Sequence, residues 1–183
     1  TYMDEEGRVR IKRIYKDGEI VDSWKLFYDY YENGQMKYKL SKKNELTDGL
    51  VTNWYENGQK KEESYWKNGK AHGSSIHYYE NGQKEQEVSY KDGKLDGLLT
   101  KWYEKGEKQS EGHYKDGKRD GLLTNWYENG QKEQEVSYKD GKLDGLLTGW
   151  HENGQKEQEV SYKDGKLISF KCWDEDGNEI DCN

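Results

Sequence analysis

The sequence predicts an all-β protein, an elongated antiparallel array of stacked β-hairpin repeats of 24 residues in a single twisted layer. Three observations carry this expectation. Residues 79 to 100 (YENGQKEQEVSYKDGKLDGLLT) recur unchanged at 127 to 148, two units further on, and a fixed period of this size marks a repeat architecture. Most of the 21 glycines fall into columns at that spacing. Between them lie short segments such as 84–90 and 98–103, rich in strand formers, alternating in polarity and too short for an ordinary helix.

Taken in order, residues 1–48 form irregular N-terminal repeats or a cap. They carry an insertion between Gly18 and Gly34 and extra apolar side chains at Ile11, Ile14, Ile20, Leu26 and Phe27, and an array with open edges needs such an end. Residues 49–168 hold the regular repeats. One glycine column runs through Gly34, Gly58, Gly82, Gly106, Gly130 and Gly154, with Gly7 and Gly177 outlying. A second runs from Gly69 to Gly165 and a third from Gly49 to Gly145, and all three read as turn punctuation. Residues 169–183 complete the single repeat domain as a C-terminal capping hairpin.

The Asn129-Gly130 turn permits a register argument. A two-residue loop sets Trp126 against Glu133 and mixes polarity on each face. A three-residue loop ending in a left-handed glycine, with a bulge, places Leu122, Thr124 and Trp126 on the face of Val136 and Tyr138. The bulged loop is therefore expected, because such a face can exclude water. On that face two ladders should form, Trp54, Tyr78, Trp102, Trp126, Trp150 and Trp173 in one, and Trp66, Tyr90, Tyr114, Tyr138 and Tyr162 in the other. One repeat alone buries too little to offset the ordering of 24 residues, so stacking is obligatory. The opposite face carries Tyr31, Tyr55, Tyr79, Tyr103 and Tyr127, with His151 at the end of the row. This stripe is either cross-strand packing or a contact surface for a protein partner.

The turns themselves point to a family. Trp66-Lys-Asn-Gly-Lys-Ala-His-Gly73 and Gly112-His-Tyr-Lys-Asp-Gly-Lys-Arg-Asp-Gly121 resemble the MORN repeat, and the Tyr-Glu-Asn-Gly-Gln form resembles the variant repeat of bacterial YwqK-type antitoxins. Leu99, Leu123 and Leu147 stand where the MORN pattern has its second glycine. The resemblance implies a stacked-hairpin scaffold for protein contacts, with an antitoxin or immunity role in some bacterial members.

Chemistry needs residues that occur once, and most of this chain is copies. His72, His77, His113 and His151 fall in different columns without metal-ligand spacing. Asp174-Glu-Asp-Gly-Asn-Glu places its glycine fourth where a calcium loop needs it sixth, and reads as a turn. Paired carboxylates such as Glu85 and Glu87 read as cross-strand partners for lysines. The expectation is a non-enzyme without metal or cofactor. Cys172 and Cys182 lie symmetrically about Gly177, which predicts a disulfide and an oxidising compartment, with two free thiols in a reducing one as the alternative.

The 37 acidic against 30 basic residues, net charge -7, exclude a polybasic nucleic-acid binder. No apolar run is long enough for a transmembrane segment. The function expected is a monomeric repeat scaffold mediating protein-protein interaction, with lipid binding disfavoured. The partner is a protein of unknown identity. The alternative is a cell-surface carbohydrate- or choline-binding aromatic repeat protein. Location in the cell envelope or outside the cell is expected, with the cytoplasm as alternative, and a leader preceding Thr1 is left open.

Overall fold

The computed structural model describes the backbone at residues 2–3 and 9–182, and side chains from Arg13 to Cys182. Gly7 and the Ile11 side chain lie outside the described residues. Every regular element described is a β-strand. The chain divides into two compact units, residues 1–84 with 89–94 and residues 85–88 with 95–183. In the first lie β1 (Tyr2–Met3), β2 (Val9–Lys16), β3 (Glu19–Tyr30), β4 (Met36–Lys43), β5 (Leu46–Thr47), β6 (Gly49–Trp54), β7 (Lys60–Lys67) and β8 (Lys70–Tyr78). Each pairs antiparallel with the next, except that β5 and β6 both pair with β4. After β9 (Lys84–Lys91) come β10 (Lys94–Trp102), β11 (Lys108–Lys115), β12 (Lys118–Trp126), β13 (Lys132–Lys139), β14 (Lys142–Trp150), β15 (Lys156–Lys163), β16 (Lys166–Trp173) and β17 (Glu179–Ile180). From β10 onward these too pair in chain order, all antiparallel.

Two kinds of turn alternate. At Lys139-Asp140-Gly141-Lys142 both central residues have positive φ, 51° and 85°, and Lys139 pairs with Lys142. This is the two-residue type I′ hairpin turn, which Asp-Gly and Asn-Gly favour because Asp, Asn and Gly tolerate the left-handed region. The Asn-Gly turn is different. The Gly130 N–H donates to the Tyr127 carbonyl (3.0 Å) and the Tyr127 N–H to the Gln131 carbonyl (2.9 Å), so the loop is Glu128-Asn129-Gly130 with the glycine at φ 83°. That is the three-residue bulged loop the sequence predicts.

The faces differ from expectation. Trp126 pairs with Lys132 but Asn125 with Gln134, so Glu133 is an extra residue in β13. This second bulge cancels the parity change made by the loop. Leu123 therefore opposes Val136 and Gly121 opposes Tyr138, while Leu122 opposes Ser137 and Thr124 opposes Glu135. Trp126 shares the second of these faces, and the Trp and Tyr ladders lie on opposite sides of the sheet, not together.

The third glycine column is also not a turn. Gly97, Gly121 and Gly145 lie inside strands at φ 118°, 113° and 116°. There the register jumps, from Val136 opposite Leu147 to Tyr138 opposite Leu143, as β14 takes two extra residues. Glycine is required because the bulge forces a backbone that a Cβ resists.

Each face of the second unit buries one row. Val88, Val136 and Val160 are nearly inaccessible on the Tyr side, and Thr100, Thr124 and Thr148 on the Trp side. A single layer lacks a second sheet to cover either face, so burial comes from neighbouring side chains closing over a central small residue.

Candidate functional site

The copied residues of the turns hold one repeat to the next. The Tyr31, Tyr55, Tyr103 and Tyr127 hydroxyls each donate to a backbone carbonyl 23 residues on, at Trp54, Tyr78, Trp126 and Trp150, all at 2.7 Å. His151 replaces tyrosine at the end of the row, and its Nε2 lies 3.1 Å from the Trp173 carbonyl, an acceptor that requires the Nε2–H tautomer. In the same loops the Asn129 amide donates to the Glu152 carbonyl and its oxygen accepts from the Gln131 N–H, as Asn57 does with Glu80 and Gln59. The five tyrosines of the predicted stripe, Tyr79 among them, are half-buried.

The opposite ends of the strands are joined similarly. The Gly141 N–H reaches back to the Arg119 carbonyl and that of Gly165 to the Leu143 carbonyl, both at 2.8 Å. Asp144 accepts from the Asp164 N–H (3.2 Å). The Lys163 ammonium bonded to Asp144, helped by that N–H, holds the carboxyl below its ordinary range. Asp174 is lowered by the Asn178 side chain and backbone, which it binds in a closed turn as expected.

On the Trp face the bulge has a chemical result. In an unbroken strand residues i and i+3 point to opposite sides, yet Lys60–Glu63, Lys108–Glu111, Lys132–Glu135 and Lys156–Glu159 are ion pairs of 2.5 to 2.7 Å. The extra residue turns both to one face, so lysine's partner is on its own strand and not across from it. The same lysines sit over indoles of the adjoining strand, Lys108 over Trp126, Lys132 over Trp150 and Lys156 over Trp173, at 5.7, 5.6 and 4.9 Å.

One place departs from the copies. Residues 103–124 differ from the identical stretches on either side at seven positions. Ser110 stands where the flanking repeats have glutamine, Gly112 where they have Val88 and Val136, and Arg119 where they have leucine. Lys101 is the lysine of a column otherwise holding Asn53, His77, Asn125 and Gly149. On the Tyr face of the second unit these residues line a concavity of about 310 Å³ together with Tyr114 and Tyr138. Arg119 bridges the two phenols, Nε to Tyr114 at 3.3 Å and Nη1 to Tyr138 at 3.0 Å, and stacks over the Tyr138 ring at 5.1 Å. Lys101, Ser110, Gly112 and Arg119 of this cluster are not among the predicted site residues, although their departure from the copies flanking them on both sides is a signal the sequence itself carries.

Among the described residues no three His, Cys, Asp or Glu side chains are grouped to hold a metal, and no helix is long and apolar enough to cross a membrane. Cys172 and Cys182 are joined by a disulfide, with Cα atoms 5.5 Å apart, although the residue paired with Cys172 in the ladder is Ile180.

The MORN repeat variant model matches six times, at residues 25–44, 47–68, 71–92, 95–116, 119–140 and 143–164, together more than half of the chain. The chain belongs to the MORN repeat variant family. Each match from the second onward contains one Asn-Gly-type loop and ends on the first central residue of the following type I′ turn, Asn68, Asp92, Asp116, Asp140 or Asp164. MORN repeats are generally non-enzymatic and suggest a scaffold for protein or membrane interaction. Among curated proteins no sequence matches this chain.

Proposed function

We propose that this MORN-variant chain is a non-enzymatic scaffold that binds a protein partner, and that its second unit does so through the Trp face. The observation that carries the reading is a row of exposed leucines. Leu98, Leu122 and Leu146 are 38%, 43% and 44% accessible at equivalent positions of three successive repeats, on the face of Trp102, Trp126 and Trp150. Regularly spaced apolar side chains framed by Lys–Glu pairs give an apolar centre with a polar rim, the composition of a protein interface. The net charge of -7 disfavours an anionic membrane surface. Tyr31, Tyr55, Tyr79, Tyr103 and Tyr127 stand as a second candidate contact through their ring edges.

The resemblance to YwqK-type antitoxins supports a toxin as the partner, and with it an antitoxin or immunity role. The Cys172–Cys182 bond supports the cell envelope or the exterior as the location. Lysines over the indoles of Trp126, Trp150 and Trp173 count against a choline-binding role, which needs those ring faces free.

The test compares the native chain with the triple variant Leu98→Ser, Leu122→Ser, Leu146→Ser in crosslinked capture and in co-sedimentation with neutral and anionic vesicles. A protein captured by the native chain and lost with the variant is expected. Identical capture by both, or leucine-dependent sedimentation with vesicles alone, would overturn the protein-partner reading. For the antitoxin role, co-expression must relieve growth arrest caused by the captured partner.

A further inference from the structure

We propose that the concavity around Arg119 binds a carboxylate carried on an apolar or aromatic body. This inference goes beyond the scaffold reading and does not depend on it, since the scaffold's leucine row lies on the other face.

Four departures from the repeat converge to make the site. Ser110 and Gly112 remove the glutamine and valine side chains that the repeats on either side place there, and the space they leave is lined by Lys101 and Arg119, two cations at positions where those repeats carry uncharged residues. No carboxylate lines the concavity among the described residues, in a protein whose acidic side chains outnumber its basic ones. Neither cation is in an ion pair with a described residue, in contrast to Lys108, Lys132 and Lys156 on the other face.

Arg119 is positioned as well as charged. Its bonds to Tyr114 and Tyr138 and its stacking on the Tyr138 ring fix the guanidinium plane. Two of five N–H donors are used by the phenols, which leaves three for a ligand, enough for a two-point grip on a carboxylate. A fixed guanidinium loses less freedom on binding than a mobile one. Leu99 and Leu123 supply the apolar wall. Leu123 comes so close that a Cβ added to Gly112 would lie 2.8 Å from its Cδ1, so the glycine and the leucine placement belong to one arrangement. Two cations beside aromatic and aliphatic surface suit a singly charged acid with an apolar body better than a highly hydrated phosphate.

The experiment follows backbone amide resonances of the intact chain during titration with 3-phenylpropionate, its neutral amide, inorganic phosphate, and a blocked peptide containing Phe-Glu. Shifts confined to residues 99–101, 110–114 and 119–123 are expected with the acid, with binding at least about tenfold weaker for the amide and for phosphate. Arg119→Leu should lower affinity by about tenfold or more, and Lys101→Asn by a smaller factor. Both variants restore residues that adjacent repeats carry, so the fold is preserved, which unchanged circular dichroism verifies. If the blocked peptide binds as well as the acid, the carboxylate belongs to an acidic peptide segment. If only the acid binds, it belongs to a small molecule. Undiminished binding by Arg119→Leu, equal binding of the amide or phosphate, or no localised shift with either carboxylate would overturn the proposal.

Discussion

At the scale of single residues, the tyrosine of each Asn-Gly-type loop couples local turn and neighbouring repeat. The Tyr127 hydroxyl satisfies the Trp150 carbonyl, so Tyr127→Phe removes one bond and leaves an acceptor without its partner. A loss of about 1 kcal/mol is expected, read as a lower midpoint in urea. Burial, reinforced by the nearby Glu133 carboxylate, raises the Tyr103 and Tyr127 phenols above their ordinary value. A raised folded value means that the fold favours the neutral phenol. Its contribution is intact below about pH 10, the unfolded value, and is lost as pH rises through the folded value. Phenolate absorbance should contain a component that lags free tyrosine and emerges together with loss of near-ultraviolet circular dichroism. In Tyr103→Phe/Tyr127→Phe that lagging component should shrink. The sequence placed these tyrosines in one row, yet gave no sign that their hydroxyls were used 23 residues away, since a side-chain-to-backbone bond leaves no partner residue type to recognise.

At the scale of elements, bulges decide which residues meet. The loop Glu128-Asn129-Gly130 was legible, because left-handed glycine after asparagine has a restricted set of solutions. The extra residue at Glu133 was not, since a bulge two residues past a turn is set by how the strand twists against its neighbour. That single residue moved the Trp ladder to the face opposite Tyr138. Two glycines inside strands of the second unit, Gly145 in β14 and Gly112 in β11, make contrasting predictions. Gly145 has φ 116° and a Cβ there would come within 3.0 Å of the Ser137 Cβ, so Gly145→Ala should destabilise by about 1–3 kcal/mol. Gly112 is not in the left-handed region, its equivalents in the other strands of the second unit are Val88, Val136 and Val160, and the obstructing atom is the end of a leucine side chain. Gly112→Val should raise stability by up to about 1 kcal/mol. Thermal melts of the two variants check both, and a stabilised Gly145→Ala would refute the bulge argument.

At the scale of the molecule, each unit is a succession of strands that touch their immediate neighbours, so stability is a sum of local interfaces and the terminal repeat is the weak one. The disulfide closes ten residues of separation there, and reduction should cost about 2–3 kcal/mol. The melting midpoint should fall with reductant in the native chain and stay unchanged in Cys172→Ser/Cys182→Ser. Titration without reductant should find no reactive thiol. The period, the Asn-Gly and Asp-Gly turns and the all-β class were determined by the sequence, because each rests on backbone preferences of a few adjacent residues, while the spacing of Cys172 and Cys182 about Gly177 pointed to their pairing and left two free thiols open. Only the tertiary structure decided the sidedness of the two aromatic ladders, the lysines held between glutamate and indole, and the meeting of Lys101, Ser110, Gly112 and Arg119 over three strands. Those depend on register, and a strand's register is fixed by the accumulated bulges and pairings of the strands beside it, so one unforeseen residue inverts every face that follows.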